Sequence, residues 1–225
     1  MKKTTIVLTV ASLLLVGCSS ASMKQEELPP SSYITKEIKE NTINSEVFAT
    51  GIEYTPEVFK ENATDIALIE VKSLDRADMQ FFEFIPSTYG KFIVNESIYG
   101  SLESGKEYEY VKPGGTVSES EYDVASDPQA LEKRERLRKE RKDQNEPIYY
   151  NIQMNGDIEI EPGKTYLAYL TYNESKDIYE IIGFGEGLKE IKGISRDALK
   201  VKNNKNGEFE ALDDYKKRCI DPYFS

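Results

Sequence analysis

Asp65-Ile66-Ala67-Leu68-Ile69-Glu70-Val71 is the stretch whose reading decides the fold. It is apolar on both faces and rich in branched residues, which marks a central strand buried on both sides. Residues 164–172 repeat the pattern, with Tyr166, Ala168, Leu170 and Tyr172 on one face and Leu167 and Tyr169 on the other. Working outward, further strands are expected at 80–85, 89–99, 107–111, 157–160, 178–184 and 188–192. Turn signals separate them: Pro86-Ser87, Ser104-Gly105, Pro113-Gly114-Gly115, Asn155-Gly156, Pro162-Gly163 and the run 173–177. Seven or eight short strands with few helices point to an all-β barrel or sandwich.

Helix signals are few. Thr55-Pro56-Glu57 supplies a capping threonine, a proline at the first helical position and an acidic first turn, opening a short helix to about residue 62. Ser126-Asp127-Pro128-Gln129 caps a second helix within a charged insertion at 127–144. Residues 130–142 hold seven basic and three acidic side chains, with Glu132–Arg136 and Glu135–Lys139 as supportive i,i+4 pairs. Leu131 and Leu137 are its only large apolar residues and point to different sides, so this helix has no apolar face. A hairpin at 199–202 and 208–210 and a short helix at 213–218 end the chain.

The N-terminus carries a different kind of signal. Lys2 and Lys3 precede a run, 6–16, that is apolar except for Thr9 and Ser12, and Leu15-Val16-Gly17-Cys18 closes it. A positive start followed by a short apolar run is a secretory signal peptide, too short for a membrane-spanning helix. Its end resembles the lipobox of bacterial lipoproteins. That resemblance implies diacylglycerol on the Cys18 sulfur, cleavage of residues 1–17 and anchoring to the cell membrane on its extracytoplasmic face. Two or three acyl chains anchor stably. Residues 18–48, with Pro29-Pro30, Ser31-Ser32 and no apolar periodicity, read as a flexible, lipidated tether. Residues 49–225 form a single β domain.

Composition narrows the chemistry. The 225-residue chain has a formal charge of −11, and losing Lys2 and Lys3 takes the mature form to −13. Such acidity opposes binding to nucleic acid. Histidine is absent, which removes Ser-His and Cys-His catalysis and the commonest transition-metal ligand. Of two cysteines, lipid consumes Cys18, so Cys219 has no disulfide partner and reads as a small, packed hydrophobe. Abundant Lys, Asn, Ile, Glu and Tyr fit a low-GC Gram-positive source. No cofactor or metal is expected.

The order of the middle segments carries a second resemblance. Ala63-Thr64-Asp65-Ile66-Ala67-Leu68-Ile69-Glu70-Val71, the run Tyr89-Gly90-Lys91-Phe92-Ile93-Val94-Asn95-Glu96-Ser97-Ile98-Tyr99-Gly100, and Gly114-Gly115 appear in turn. Pro162-Gly163-Lys164-Thr165-Tyr166-Leu167-Ala168-Tyr169-Leu170 and Tyr179-Glu180-Ile181-Ile182-Gly183 complete the series. This order resembles exported bacterial proteins with a small OB-like β-barrel, similar in outline to the netrin and tissue-inhibitor-of-metalloproteinase domain. The resemblance covers residues 55–192. It implies a mainly β fold: an OB-like barrel with a short N-terminal helix, one inserted charged helix and a short C-terminal helix. Metalloproteinase inhibition does not transfer, because that wedge needs a disulfide-locked N-terminal cysteine and Cys18 is expected to be lipidated.

Candidate sites are sparse. Gly114-Gly115 and Gly183-Phe184-Gly185-Glu186-Gly187 read as a turn and a bend rather than ligand loops. Fifteen tyrosines and nine phenylalanines either fill half-buried strands or supply stacking platforms on an OB-like face, where such folds bind oligosaccharides. Arg134, Arg138 and Arg141 are the candidate surface for contact with anionic lipid, at about 1 kcal/mol per basic residue; the alternative is a solvated helix packed on the acidic barrel. The expected function is a non-enzymatic binding module of the cell envelope whose partner is an envelope protein or wall polymer. The alternative is a carboxylate-based envelope hydrolase acting on glycan or peptide.

Overall fold

The structure is a computed structural model that describes residues 29–224, apart from 49–52, 83, 125, 141–145 and 194. A two-residue strand β1 (Ser31–Ser32) is followed by helix α1 (Lys36–Glu40), strand β2 (Thr42–Val47) and helix α2 (Pro56–Asn62). Strands β3 (Asp65–Asp78), β4 (Ser87–Tyr99), β5 (Glu107–Pro113) and β6 (Gly115–Ser118) lead into helices α3 (Glu119–Val124) and α4 (Pro128–Glu140). Then come β7 (Tyr149–Met154), β8 (Thr165–Asn173), β9 (Ile178–Ile181) and a single turn α5 (Phe184–Gly187). Strands β10 (Leu188–Lys192), β11 (Lys200–Lys202) and β12 (Phe209–Ala211) and helix α6 (Leu212–Cys219) finish the chain.

The fold is mainly β, dominated by a nine-stranded sheet in the order β1-β3-β4-β5-β9-β8-β10-β11-β12. Strand β8 also pairs with β3, so the pairings β3-β4-β5-β9-β8 return to their start. All are antiparallel except β5 with β9, a parallel contact of only two residue pairs. A second sheet has the order β2-β7-β6.

The two-faced apolarity of β3 and β8 has a direct cause: each face serves a different core. Ala67, Ile69 and Val71 join Phe92, Tyr110, Tyr166, Ala168 and Leu170 in one cluster. Ile66 and Leu68 join Leu167 and Tyr169 in another, which α2 covers through Phe59 and α6 covers through Leu212 and Tyr215. Helix α2 is positioned for this by Thr55, whose Oγ1 accepts a hydrogen bond from Val58 N, and by Pro56 in the first turn. Phe59 then stacks on Tyr169 with ring centroids 4.2 Å apart. Most tyrosines thus serve the cores.

Strand β3 bends as it runs along β4, with register shifts between Ile66 and Ala67, Leu68 and Ile69, Val71 and Ser73, and Leu74 and Arg76. At Gly90 the bend brings chains close: a Cβ there would lie 2.0 Å from the Ser73 carbonyl oxygen and 2.8 Å from the Tyr110 hydroxyl. The Tyr110 hydroxyl crosses this gap to donate to the Ser73 carbonyl at 3.2 Å.

Several expectations need correction. The described residues of the expected strand 80–85 form bends instead, because the Asp78 carboxylate takes the Gln80 amide at 3.0 Å and turns the chain out of the ladder. Residues 157–160 are not a strand either: the Asp157 side chain takes the amide of Ile158 at 2.8 Å. The strand in this region is β7, which pairs with β2 and β6. Gly183–Gly187 forms a helical turn rather than a bend.

The tether also ends earlier than expected. Residues 31–47 are built into the domain: β1 lies along β3, Tyr33 N donates to Leu74 O at 2.8 Å, and β2 pairs with β7 over six residue pairs. Main-chain bonds hold this segment, and four of the six β2 side chains are exposed, so no hydrophobic pattern marks it. Cys18 and the expected signal peptide lie outside the described residues. Among the described residues no helix is long and apolar enough to cross a membrane.

Candidate functional site

A groove of about 400 Å³ lies on the β4–β5 face, flanked by the β3–β4 loop and the β8–β9 turn. Arg76, Gln80, Phe81, Tyr89, Glu109 and Lys176 supply its chemistry. Asp78, at the end of β3, organises one side. Its carboxylate accepts from the Tyr89 hydroxyl at 3.2 Å, from Gln80 N at 3.0 Å and from Arg76 Nε at 3.3 Å. The Arg76 guanidinium in turn lies 3.8 Å from the Tyr89 ring centroid. Burial and the neighbouring Asp78 charge push the Tyr89 phenol above its ordinary pKa, so it stays a neutral hydrogen-bonding group.

The other side is aromatic. Phe81 and Phe82 sit with centroids 4.8 Å apart, Phe81 meets Tyr89 edge-on at 6.4 Å, and Lys176 Nζ lies 3.5 Å from the Phe81 ring centroid. Phe81, Phe82 and Tyr89 are all half-buried. Phe84, in the same loop, is 77 % exposed and has φ of 66°. A left-handed phenylalanine costs on the order of 1–3 kcal/mol, and outliers of this kind cluster at functional sites. Cation–π contacts hold the groove rings from one side. This arrangement can grip a ligand that offers both flat apolar faces and hydroxyls.

The arginines singled out from the sequence are placed otherwise. Arg134 Nε bonds Asp123 Oδ1 at 2.8 Å and its guanidinium lies 4.8 Å from the Tyr122 ring centroid, leaving its side chain 12 % exposed. Arg138 Nε reaches Glu119 Oε2 at 2.8 Å and its Nη2 pairs with Asp123 as well. Burial raises the Asp123 pKa, but hydrogen bonds from Arg138 and Arg134 outweigh it and hold the carboxyl below its ordinary range. The basic helix is therefore docked on α3 rather than on the large sheet, and α3 rests on β7, where the Tyr150 hydroxyl donates to Glu119 at 3.2 Å. Arg141 lies outside the described residues. The sequence held a signal for this pairing: Glu119 and Asp123 are four apart, as are Arg134 and Arg138, so each pair shares one helix face.

The remaining features have structural roles. Gly114 and Gly115 adopt φ of 90° and 146°, and the Thr88 hydroxyl donates to the Gly114 carbonyl at 2.6 Å, which turns the chain between β5 and β6. Cys219 is free and half-buried at the edge of the α2–α6 core. Among the described residues no group of three or more Asp, Glu or Cys is placed to hold a metal ion. No family model matches the chain, and neither does any curated protein or solved structure, so the groove is read from its own chemistry.

Proposed function

We propose that this chain is a lipoprotein of the cell envelope, anchored through Cys18, whose OB-like barrel binds wall glycan in the β4–β5 groove without cleaving it. The observation that carries the reading is the pair Phe81 and Tyr89, held half-exposed beside Gln80, Glu109 and Lys176. Sugars present apolar ring faces and hydroxyls together, which suits aromatic platforms edged by polar groups.

The barrel reading is supported by the pairing circuit β3-β4-β5-β9-β8-β3 with its parallel β5–β9 step. In OB-like barrels the ligand face is the second and third strands, between the first–second and fourth–fifth loops. Here those elements are β4, β5, the β3–β4 loop and the β8–β9 turn, which border the groove. A hydrolase reading needs two carboxyls in contrasting environments, one kept protonated by burial. Of the carboxylates at this groove, Asp75 and Glu109 are exposed, and the half-buried Asp78 is held as an acceptor by Arg76, Gln80 N and the Tyr89 hydroxyl, which favours binding over cleavage.

Anchoring sets the reach. From Cys18 to the first described strand at Ser31, the chain spans at most about 47 Å when fully extended. The domain would work close to the outer face of the membrane.

Co-sedimentation of the purified, non-lipidated protein with insoluble wall glycan tests this. Phe81→Ala and Tyr89→Ala should each weaken binding roughly two- to tenfold, the worth of one aromatic contact. Binding that survives both substitutions together would overturn the site. Release of reducing ends from the same glycan would overturn the non-enzymatic reading.

A further inference from the structure

The sheet β2-β7-β6 has two edges, and the chain treats them differently. On β6 the outward main chain is already taken. The Tyr33 hydroxyl donates to Thr116 O at 3.0 Å and accepts from Thr116 N at 3.2 Å. The Glu121 carboxylate accepts from Ser118 N at 3.0 Å. Side chains close that edge.

Strand β2 forms the other edge, parallel to β7 over six residue pairs with no register shift. Asn41 O accepts from Tyr149 N at 3.1 Å, and Val47 O accepts from Asn155 N at 2.8 Å. The odd-numbered residues therefore turn their main chain toward β7. Alternation turns the N–H and C=O groups of Thr42, Asn44 and Glu46 away from β7, along the outer edge. Their side chains are bonded to Ile38 O, Asn151 and Asn155, but these outward main-chain groups have no partner among the described residues. Residues 43–46 are all exposed. Thr-Ile-Asn-Ser-Glu-Val also carries no lysine, proline or bulge, the devices that ordinarily keep a free edge from pairing. The edge strands of the large sheet are shorter, two residues in β1 and three in β12.

We propose that β2 pairs antiparallel with β2 of a second copy of this chain, about a two-fold axis at Asn44. In that register Asn44 exchanges both main-chain bonds with Asn44 of the partner subunit. Thr42 does the same with Glu46 of the partner subunit, and the two small sheets become one. The strand suits itself as a partner. Its single charge, Glu46, meets a threonine rather than another acid. On the opposite face Ile43, 43 % exposed, lies diagonal to Ile43 of the partner subunit, within reach of an apolar contact. One surface used twice closes the assembly at a dimer and leaves no further edge of β2 open. The chain's charge of −11 opposes the association, so the dimer tightens as salt screens it. A partner held by basic charge would show the reverse. The glycan groove on the large sheet plays no part in this contact.

Sedimentation velocity on the purified, non-lipidated protein starting at Ser19, with Cys219→Ser to remove the free thiol, tests the proposal. The mass should double as protein concentration rises, and added salt should favour the dimer. Asn44→Pro deletes a donor that faces away from β7, so the circular dichroism spectrum should stay that of the parent. It removes two bonds across the axis and should weaken the dimer roughly tenfold. Asn44→Cys should form a disulfide-linked dimer under mild oxidation, because a hydrogen-bonded antiparallel pair sets the Cα atoms about 5.5 Å apart. Ser45→Cys faces Ile43 of the partner subunit and should not cross-link. A monomer at millimolar concentration would overturn the proposal. So would a dimer that Asn44→Pro leaves intact, or equal cross-linking at both cysteine positions. Slow amide exchange at Asn44 in a monomer would assign the edge to another segment of the same chain and equally refute it.

Discussion

The Lys112–Asp157 pair offers the sharpest physical test, because the side chains are only 7 % and 1 % exposed. Lys112 Nζ also donates to the Pro113 carbonyl at 3.2 Å, and Asp157 Oδ1 caps Ile158. Removing one partner strands the other charge away from water, which costs about 3–5 kcal/mol. Asp157→Asn is the informative change, since its amide oxygen can still accept from Ile158 N and only the charge is lost. At about 2–4 °C per kcal/mol for a domain of this size, its melting midpoint should fall by roughly 6–20 °C. Lys112→Met should behave alike. The double variant leaves no uncompensated charge and should be less destabilised than either single one, a strong coupling in a double-mutant cycle. Urea unfolding followed by circular dichroism and tyrosine fluorescence measures all four proteins. Single variants each within about 1 kcal/mol of the parent, with additive effects, would refute the reasoning: pairs of that strength are solvated surface contacts. The Ile158–Pro162 segment would then not be anchored by this pair.

Other consequences are equally direct. Gly90→Ala places a methyl 2.0 Å from the Ser73 carbonyl oxygen, where backbone rather than a flexible side chain must yield; a loss of about 1–3 kcal/mol or more is expected in thermal melts. Asp123 has a depressed folded pKa, so its contribution is complete above its unfolded value near about 3.9. It is lost as pH falls through the lower folded value, and an acid titration of α4 helicity should show this while Asp123→Asn flattens it. Charge reversal at Arg134 and Arg138 should detach α4 from α3, read as lost helix protection in hydrogen exchange, without changing affinity for anionic vesicles. Cys18→Ala should move the protein from the membrane fraction to the medium; retention on the membrane would contradict lipid anchoring.

Legibility followed the kind of force involved. Strands β3 and β8 were readable because burial on both faces leaves a run of apolar residues, and α2 because Thr55 and Pro56 act within one turn. Strand β2 was not, since main-chain bonds to β7 fix it while most of its side chains face water. Helix α3 escaped because it is short and charged, and its stability comes from Arg134 and Arg138 on a distant segment. The groove was half legible. An abundance of aromatics suggested stacking platforms, but composition could not separate Phe81 and Tyr89 from Tyr110, Tyr166 and Tyr169, which are buried in the cores.

Sequence alone determined the mainly β class, the two central strands, the starts of α2 and α4 and an N-terminus that resembles a lipoprotein signal. These are local or periodic properties, set by propensity, capping and hydrophobic pattern. Tertiary structure alone decided that β3 pairs with both β4 and β8, that residues 31–47 belong to the domain, and that the basic helix spends two arginines on α3. It also decided which aromatics stay half-exposed. Those outcomes depend on contacts between residues far apart in the chain. Hydrogen bonds and ion pairs formed over such distances leave no periodic trace in the order of amino acids.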